Sequence, residues 1–263
     1  MWSYQHQHFT VHQLPVLRDN YIYLIEAHQS NTLIAIDPAE AAAVKSACKA
    51  LGKKLTYIFN THHHWDHTDG NLKLKDDFSC LIVGAKHDAM RIPGIDIKVS
   101  DHEILDIAEI SIQIVDLPGH TLGHVAFVID DALFCGDTLF GAGCGRLFEG
   151  SPAQMWSSLQ RLAELKADTK VYCAHEYTMN NLEFARSIDA DNADLLKRIQ
   201  TDGCRRQQHK PTIPSSIASE LASNPFFRPL DQSFCLSYAK QHNIEADDAL
   251  SVFSDMRLRR NQW

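Results

Sequence analysis

The chain has 263 residues, of which 44% are apolar and 22% are charged, and its formal net charge is −8. This composition is typical of a folded protein with a sizeable core, in one large domain or two smaller ones, and argues against a disordered chain. The acidic balance argues against broad electrostatic binding to nucleic acids or anionic membranes.

The cysteines and the N-terminal segment bear on the cellular compartment. The seven cysteines are scattered and never spaced C-x-x-C, which favours free thiols in a reducing compartment over a disulfide framework. The first residues lack the pattern of a secretory signal, and no stretch approaches the roughly 18 apolar residues of a membrane span. We therefore expect a cytoplasmic monomer that acts on a small molecule and binds neither membrane nor nucleic acid.

Short apolar runs separated by turn residues predict strands through the first two-thirds of the chain. In chain order, the predicted strands are 11–14, 21–26, 32–37, 56–60, 80–84, 110–116, 125–129, 132–135 and 171–173. After Pro38, an alanine-rich segment predicts a helix that ends at Gly52. A second helix is predicted over 153–165, with Ser151 as its N-cap and Pro152 at its first position.

Beyond residue 175 the pattern changes from strands to helices. Helices are predicted over 180–188, 193–207, 216–222, 232–242 and 246–259, with prolines in the gaps. Strands interleaved with helices predict a layered α/β body, and the later helices predict a smaller second domain. We therefore expect an α/β domain over residues 1–174 and an all-helical domain over residues 175–263.

The most informative segment is T-H-H-H-W-D-H, which contains His62, His64, Asp66 and His67 and follows a predicted strand. On an extended chain, residues i and i+2 face the same side, so His62 and His64 can bind one ion together. A turn at Trp65 would direct Asp66 and His67 to a neighbouring site. Imidazole and carboxylate ligands without thiolate suit zinc, iron or manganese in an open, reactive site.

Three further candidate ligands each follow a predicted strand: His120, Asp137 and His175. Loops at strand ends are the usual location of binding and catalytic residues. With the first cluster they supply seven ligands for two divalent metal ions, of which zinc is the first expectation. The expected division gives one ion His62, His64 and His120, the other Asp66, His67 and His175, and makes Asp137 the bridge.

Two ions about 3.5–4 Å apart can share a hydroxide, because their combined charge lowers the pKa of bound water. Such a hydroxide is a nucleophile, and the ions also neutralise the oxyanion that forms when it attacks a carbonyl group. Asp66 and Asp137 are the expected catalytic carboxylates, since both act through this hydroxide. The sequence therefore predicts a metal-dependent hydrolase that needs no serine or cysteine nucleophile.

Several nearby residues are predicted not to bind metal. His63 alternates to the opposite face and is expected to pack or to hydrogen-bond behind the ligands. His124 is expected to be a core histidine, Asp69 a turn or cap residue, and Cys144 a buried structural thiol. Three histidines near the N-terminus are predicted to be surface residues: His6, His8 and His12.

The motifs resemble those of the metallo-β-lactamase superfamily, in which T-H-x-H-x-D-H ends an inner strand of a four-layer αβ/βα sandwich. The order of the motifs, with a helical C-terminal region after them, is similar to that of the glyoxalase II (hydroxyacylglutathione hydrolase) family. The resemblance covers nearly the whole chain, and the motifs that carry it are THHHWDH, PGHTLGH, FCGDTLF, GCGRLFEG and CAHEYT.

That resemblance implies hydrolysis of the thioester S-D-lactoylglutathione, and of related 2-hydroxyacylglutathiones, to glutathione and D-lactate in methylglyoxal detoxification. It also implies glutathione contacts by Arg146, Tyr177, Arg257 and Arg260. The planar guanidinium group of an arginine can donate two hydrogen bonds to one carboxylate, which suits the carboxylates of glutathione. Two positions depart from the family pattern. Phe148 stands where some members have a tyrosine, and Arg260 replaces the usual lysine.

The sequence leaves other functions open. On the same fold, a mono-iron glutathione persulfide dioxygenase, a β-lactamase or a nucleic-acid hydrolase would have similar motifs. The acidic charge counts against the nucleic-acid enzyme. A non-catalytic metal-binding module is an alternative of another class, although such a module need not keep all seven ligands.

Overall fold

The computed structural model describes residues 1–263, which form two compact units. The first unit consists of Met1–Asp116 and Leu122–Gly136, and the second consists of Leu117–Thr121 and Asp137–Trp263. The expected domain boundary between residues 174 and 175 falls inside the second unit and stays a prediction.

A seven-stranded sheet organises the first unit, with its strands in sequence order. Its strands are β1 (Trp2–Gln5), β2 (Phe9–Val16), β3 (Asn20–Ala27), β4 (Leu33–Ile36), β5 (Tyr57–Asn60), β6 (Leu81–Ala85) and β7 (Ile97–Val99). Neighbours are antiparallel from β1 to β4 and parallel from β4 to β7. The carboxyl ends of β4 to β7 therefore meet at one edge of the sheet.

Helices connect the parallel strands, as parallel pairing requires. They are α1 (Ala41–Leu51), the single turn α2 (Trp65–Thr68), α3 (Asn71–Phe78) and the 3₁₀ turn Lys86–Asp88. Val44 of α1 and Leu74 of α3 pack in one buried cluster with Ile58 and Ile82 of the sheet. Gly52, with φ of 66°, ends α1 as its sequence predicts.

A second sheet covers the other face of the first. Within the first unit its strands are β8 (Ile104–Ile107), β9 (Ile110–Asp116), β10 (Val125–Ile129) and β11 (Ala132–Gly136), antiparallel in the order β11-β10-β9-β8. Aromatic rings join the two sheets: Phe59 lies 4.8 Å from Phe127, and Tyr23 lies 5.7 Å from Phe134. The predicted α/β sandwich is therefore confirmed.

The second unit is mainly helical. Its elements are β12 (Leu139–Phe140), β13 (Gly143–Cys144), α4 (Pro152–Ala163), β14 (Lys170–Cys173), α5 (Thr178–Ile188), α6 (Ala193–Gln207), β15 (Ser215–Ser216), α7 (Ile217–Ser223), the 3₁₀ helix Pro225–Leu230, α8 (Gln232–His242) and α9 (Ala249–Gln262). A row of aromatic rings packs the helices: Trp156 and Phe226 both contact Phe253, and Phe184 stacks on Phe226. The helical C-terminal region is thus confirmed.

The structure differs from the sequence-based expectations in a few elements. It adds the strands β1, β7 and β8 and the helix α3, which are short and partly exposed and so show no clear pattern of burial. It also adds three strands of two residues, β12, β13 and β15, of which β15 lies in the region expected to be all-helical. The predicted surface positions of His12 and His6 are wrong. His12 is 5% exposed and bonds Glu26, and the His6 side chain is 2% exposed beside Asp131. No helix is both long and apolar enough to cross a lipid bilayer.

Candidate metal centre

Four predicted ligands lie in one loop of the first unit, directly after β5. The chain turns at His64, the N-cap of α2, so that His64 faces back toward His62, with 2.9 Å between Nδ1 of His64 and Nε2 of His62. The rings of His62 and His67 are 4.1 Å apart, and Asp66 Oδ2 lies 3.7 Å from His67 Nε2. The structure therefore brings together the four members of the T-H-x-H-x-D-H motif.

Asp37, which sequence analysis missed, fixes the orientation of His67. It follows β4 and is buried, and its Oδ2 lies 3.0 Å from His67 Nδ1. The backbone N–H and the hydroxyl of Thr61 donate to the same carboxylate, at 2.8 and 2.7 Å. Because Nδ1 of His67 is occupied by this carboxylate, Nε2 is the nitrogen that can bind a cation. The sequence signal that could have identified Asp37 is its position directly after β4, the strand that pairs with β5.

Asn20, also missed, positions the carboxylate of Asp66. Its side-chain amide donates to the backbone oxygen of Asp66 at 3.1 Å and to Oδ2 at 3.2 Å. Asn20 begins β3 and is 6% exposed, so its side chain has little freedom to leave this position. Hydrogen bonds of this kind orient ligands and tune their affinity for metal.

Three residues near the candidate ligands that were predicted not to bind metal have the other roles predicted for them. His63 points away from its neighbours, and its Nδ1 lies 2.8 Å from Oδ2 of the fully buried Asp88. His124 is 1% exposed and stacks on His62 with 4.9 Å between ring centroids, as expected of a core histidine. Asp69 ends α2 as its C-cap. None of these three needs a metal to explain its place.

The other three predicted ligands meet in the second unit. Asp137 is 7% exposed, and its two carboxylate oxygens lie 3.4 Å from Nε2 of His120 and 3.4 Å from Nε2 of His175. Nδ1 of His120 lies 2.8 Å from the backbone oxygen of Arg146, which leaves Nε2 for coordination. The ring of His175 stacks on Tyr177 at 4.8 Å. A carboxylate between two imidazoles is the arrangement expected of a bridging ligand.

The donor set fits divalent cations. Imidazole nitrogens and carboxylate oxygens suit zinc, iron and manganese alike. Cys173, two residues before His175, is fully buried, and its Sγ donates to the backbone oxygen of His175 at 3.5 Å. Burial raises the pKa of Cys173 well above the usual range, so it stays a thiol and is a poor ligand.

Three arginines of the second unit form a cationic group. Burial lowers the pKa of Arg260, and the neighbouring charges of Arg257 and Arg146 lower it further. Arg257 is 6% exposed and donates to the backbone oxygen of Cys144 at 2.9 Å. Like charges held this close favour an anionic ligand, because they gain when a carboxylate binds between them. The exposed Phe148 contacts the ring of His120 at 5.2 Å.

Comparison with known proteins identifies the family. Residues 16–175 match the model of the metallo-β-lactamase superfamily, and residues 176–263 match the model described as the hydroxyacylglutathione hydrolase C-terminus. The chain is 52% identical over 251 residues to the hydroxyacylglutathione hydrolase of Methylococcus capsulatus, covering 95% of this chain and 96% of the relative. The chain belongs to the hydroxyacylglutathione hydrolase family.

Solved structures agree with the metallo-β-lactamase fold of this family member. ETHE1 from Myxococcus xanthus has a TM-score of 0.66 at 22% identity, covering 95% of this chain and 97% of its own. At that identity the likeness shows the fold alone. TTHA1623, solved in a di-iron-bound form, has a TM-score of 0.54 at 25% identity and covers 63% of this chain and 91% of its own.

Cys144 is the one thiol close to the arginines, and its environment does not suit a nucleophile in this hydrolase family member. It is buried, and burial raises its pKa even though the Arg257 guanidinium acts in the opposite direction. A thiol that stays protonated is a weak nucleophile. This agrees with the structural role predicted for Cys144.

Proposed function

We propose that this protein hydrolyses S-D-lactoylglutathione and related 2-hydroxyacylglutathiones to glutathione and the hydroxy acid, the second step of methylglyoxal detoxification. The observation that carries the proposal is the match of residues 176–263 to the hydroxyacylglutathione hydrolase C-terminus. A shared fold leaves the substrate undecided, because metallo-β-lactamase relatives act on different molecules. The C-terminal region is the part that distinguishes this family from them.

We propose that two divalent cations, zinc in the first instance, bind to the seven candidate ligands. The donor chemistry supports this, as does the di-iron form of TTHA1623. The proposed division is His62, His64 and His120 for one cation, Asp66, His67 and His175 for the other, and Asp137 for both. When bound, such a pair lowers the pKa of water and polarises a thioester carbonyl.

The residues of the chain have distinct tasks in this proposal. Asp66 and Asp137 are the catalytic carboxylates, and both act as ligands beside the reacting atoms. Asp37 and the backbone oxygen of Arg146 hold the rings of two ligand histidines in one orientation. A general acid is not required, since a glutathione thiolate leaves readily at neutral pH.

Glutathione is an anion, and five residues of the second unit are proposed to contact it: Arg146, Phe148, Tyr177, Arg257 and Arg260. The lowered pKa of Arg260 beside two other arginines supports an anionic ligand. Tyr177 stacks on the candidate ligand His175, which supports a contact between this tyrosine and a substrate bound beside that ligand. We further propose that residues 175–263 form the domain that contributes Tyr177 and the last two arginines.

We also propose that the protein works in the cytoplasm as a monomer. All seven cysteines are free, and only Cys204 is exposed, as suits a reducing compartment. Sedimentation of the metal-loaded protein would give the oligomeric state directly.

The decisive experiment measures thiol release from S-D-lactoylglutathione by the purified protein, together with elemental analysis of its metals. We expect turnover and two metal ions per chain. Absence of turnover, combined with oxygen consumption in the presence of glutathione persulfide, would instead identify a persulfide dioxygenase.

Substitution of the proposed bridge tests the metal assignment. We expect Asp137→Ala to abolish thiol release and to lower the metal content, because both cations lose a ligand. Asp131→Ala, which removes a half-exposed aspartate of the β10–β11 turn, is the matched control and should leave both unchanged. Full activity of the Asp137 variant would refute the two-metal site.

A further inference from the structure

The segment between Asp137 and Arg146 is a short hairpin whose strands, β12 and β13, have two residues each. We call residues 137–146 the glycine-rich hairpin. Such short strands cannot fix a conformation by their own pairing. We propose that Glu220 and Asn224, two buried side chains of the helical region, are positioning residues that hold this hairpin in place. This inference rests on the proposed function, because one end of the hairpin is a metal ligand and the other a substrate contact.

Glu220 and Asn224 bind the backbone of the hairpin directly. Oε2 of Glu220 accepts a hydrogen bond from the backbone N–H of Ala142 at 2.9 Å. The side-chain amide of Asn224 donates to the backbone oxygen of Gly143 at 3.0 Å and to Glu220 Oε2 at 3.0 Å. Both side chains are 0% exposed, so water cannot replace these bonds.

Helix α5 holds the hairpin from another side. The amide of Asn181 donates to the backbone oxygen of Gly141 at 3.0 Å. A Cβ atom at Gly141 would collide with the hydroxyl of Thr178, and one at Gly143 would collide with the Asn181 amide. Gly141 and Gly143 are therefore explained by the approach of side chains of α5 to the hairpin backbone, which is a role in packing and not in ligand binding.

Glu220 has a charged partner that makes a controlled test feasible. Its Oε1 accepts from Arg198 at 2.7 Å and from Ser215 at 2.6 Å. Arg198 also pairs with Asp202, at 3.2 Å. Asp202 therefore belongs to the same buried ion network. Its carboxylate pairs with arginines of α6, however, whereas the carboxylate of Glu220 also binds the hairpin.

The position of the hairpin matters at both of its ends. Asp137 contacts two ligand histidines, and the backbone oxygen of Arg146 orients His120. A displacement of about 1 Å at such a site can lower the rate by on the order of a hundredfold, even when it is caused by a remote change. Loss of the bonds from Glu220 should therefore alter metal binding and catalysis together.

The test compares Glu220→Gln with Asp202→Asn. Both replace a carboxylate of the Arg198 network by an amide, so both should lower the melting temperature. Well below either melting temperature, we expect Glu220→Gln to lower kcat/KM for lactoylglutathione by about tenfold or more, with changes in both kcat and KM. Asp202→Asn should stay within about twofold of the wild type. Equal kcat/KM in the two variants would overturn the proposal.

A second pair keeps the test valid if Glu220→Gln does not fold. Asn224 and Asn192 each cap a helix with Oδ1, at 3.0 Å from Phe226 N and Leu195 N. Each side-chain amide also donates to a backbone oxygen. Asn224 donates to Gly143 in the hairpin, whereas Asn192 donates to Ala222, which lies outside it. Asn224→Ala should therefore weaken zinc binding by about tenfold in chelator competition, and Asn192→Ala should not. Equal zinc affinities would contradict the proposal.

Zinc affinity also separates this inference from the proposed function. If the wild type binds zinc but releases no thiol from lactoylglutathione, the proposed substrate is wrong. In that case a selective loss of zinc affinity in Asn224→Ala would still support the positioning role, and its absence would refute it.

Discussion

At the scale of single residues, the ligand histidines are oriented by acceptors that lie far away in sequence. Nδ1 of His67 faces the Asp37 carboxylate, and Nδ1 of His120 faces the backbone oxygen of Arg146. In both rings Nε2 is thereby left as the nitrogen that a cation could bind. The motif predicts the candidate ligands, but it does not predict these acceptors, which depend on how the residue after β4 and the glycine-rich hairpin approach the histidine rings.

The Asp37 interaction leads to a prediction about metal affinity. We expect Asp37→Ala to weaken zinc binding by about 10–100-fold, because His67 loses the partner that fixes its ring. Competition with a chromophoric chelator measures the affinity. The control is Asp69→Ala, which removes an exposed aspartate at the end of α2 and should leave zinc binding unchanged. Wild-type affinity in the Asp37 variant would show that the carboxylate does not orient the ligand.

Asp88 leads to a prediction about pH. Burial by itself would raise its pKa, but hydrogen bonds from Arg91, His87 and His63 outweigh burial and lower it. Because the folded pKa is lowered, this carboxylate stabilises the fold above its unfolded pKa of about 4, and the effect is lost as pH falls through the folded value. Asp88→Asn should therefore destabilise the metal-free protein by on the order of 2 kcal/mol at neutral pH.

Urea unfolding of metal-free wild type and Asp88→Asn between neutral and acidic pH would measure this effect. The stability difference between the two proteins should shrink as the pH falls below about 4. The wild-type carboxyl then takes up a proton and becomes neutral, as the asparagine side chain already is. A difference that stays constant over this range would mean that Asp88 contributes through packing and not through its charge.

At the scale of elements, the start of helix α4 was predictable from the local sequence. Ser151 and Pro152 predict the start of α4, and the structure shows a complete capping box. The Ser151 hydroxyl accepts from the backbone of Gln154, whose side chain in turn accepts from the backbone of Ser151. These bonds are local in sequence, so no tertiary contact is needed to foresee them.

The capping box gives a quantitative prediction. Ser151→Ala should lower the free energy of unfolding by about 1 kcal/mol, because an N–H of the first turn loses its acceptor. Ser157→Ala, at an exposed position within the same helix, should be neutral or slightly stabilising since alanine is the better helix former. Denaturant unfolding of both variants makes the comparison. An equal effect of the two substitutions would show that the cap is dispensable.

At the scale of the whole molecule, the metal ions proposed for this protein should contribute to stability as well as to activity. Ligands that bind only the folded state stabilise it by mass action. Removal of metal by a chelator should therefore abolish thiol release and lower the melting temperature, and added zinc should restore both. A melting temperature that does not change on chelation would contradict strong metal binding by these seven residues.

The sequence by itself determined the strands around the ligands, the later helices and the seven candidate ligands, because apolar periodicity, caps and a dense motif are local features. Short, half-exposed elements such as β7 and α3 were not predicted from the sequence, since few of their side chains are buried. The burial of His12 was not predicted from the sequence either.

Only the tertiary structure decided which side chains meet. It placed Asp137 between His120 and His175, Asp37 against His67, and Glu220 on the glycine-rich hairpin. The sequence of an isolated strand or helix indicates which of its faces is buried. It does not indicate what that face will contact, because the contact depends on the packing of elements that are far apart in the chain.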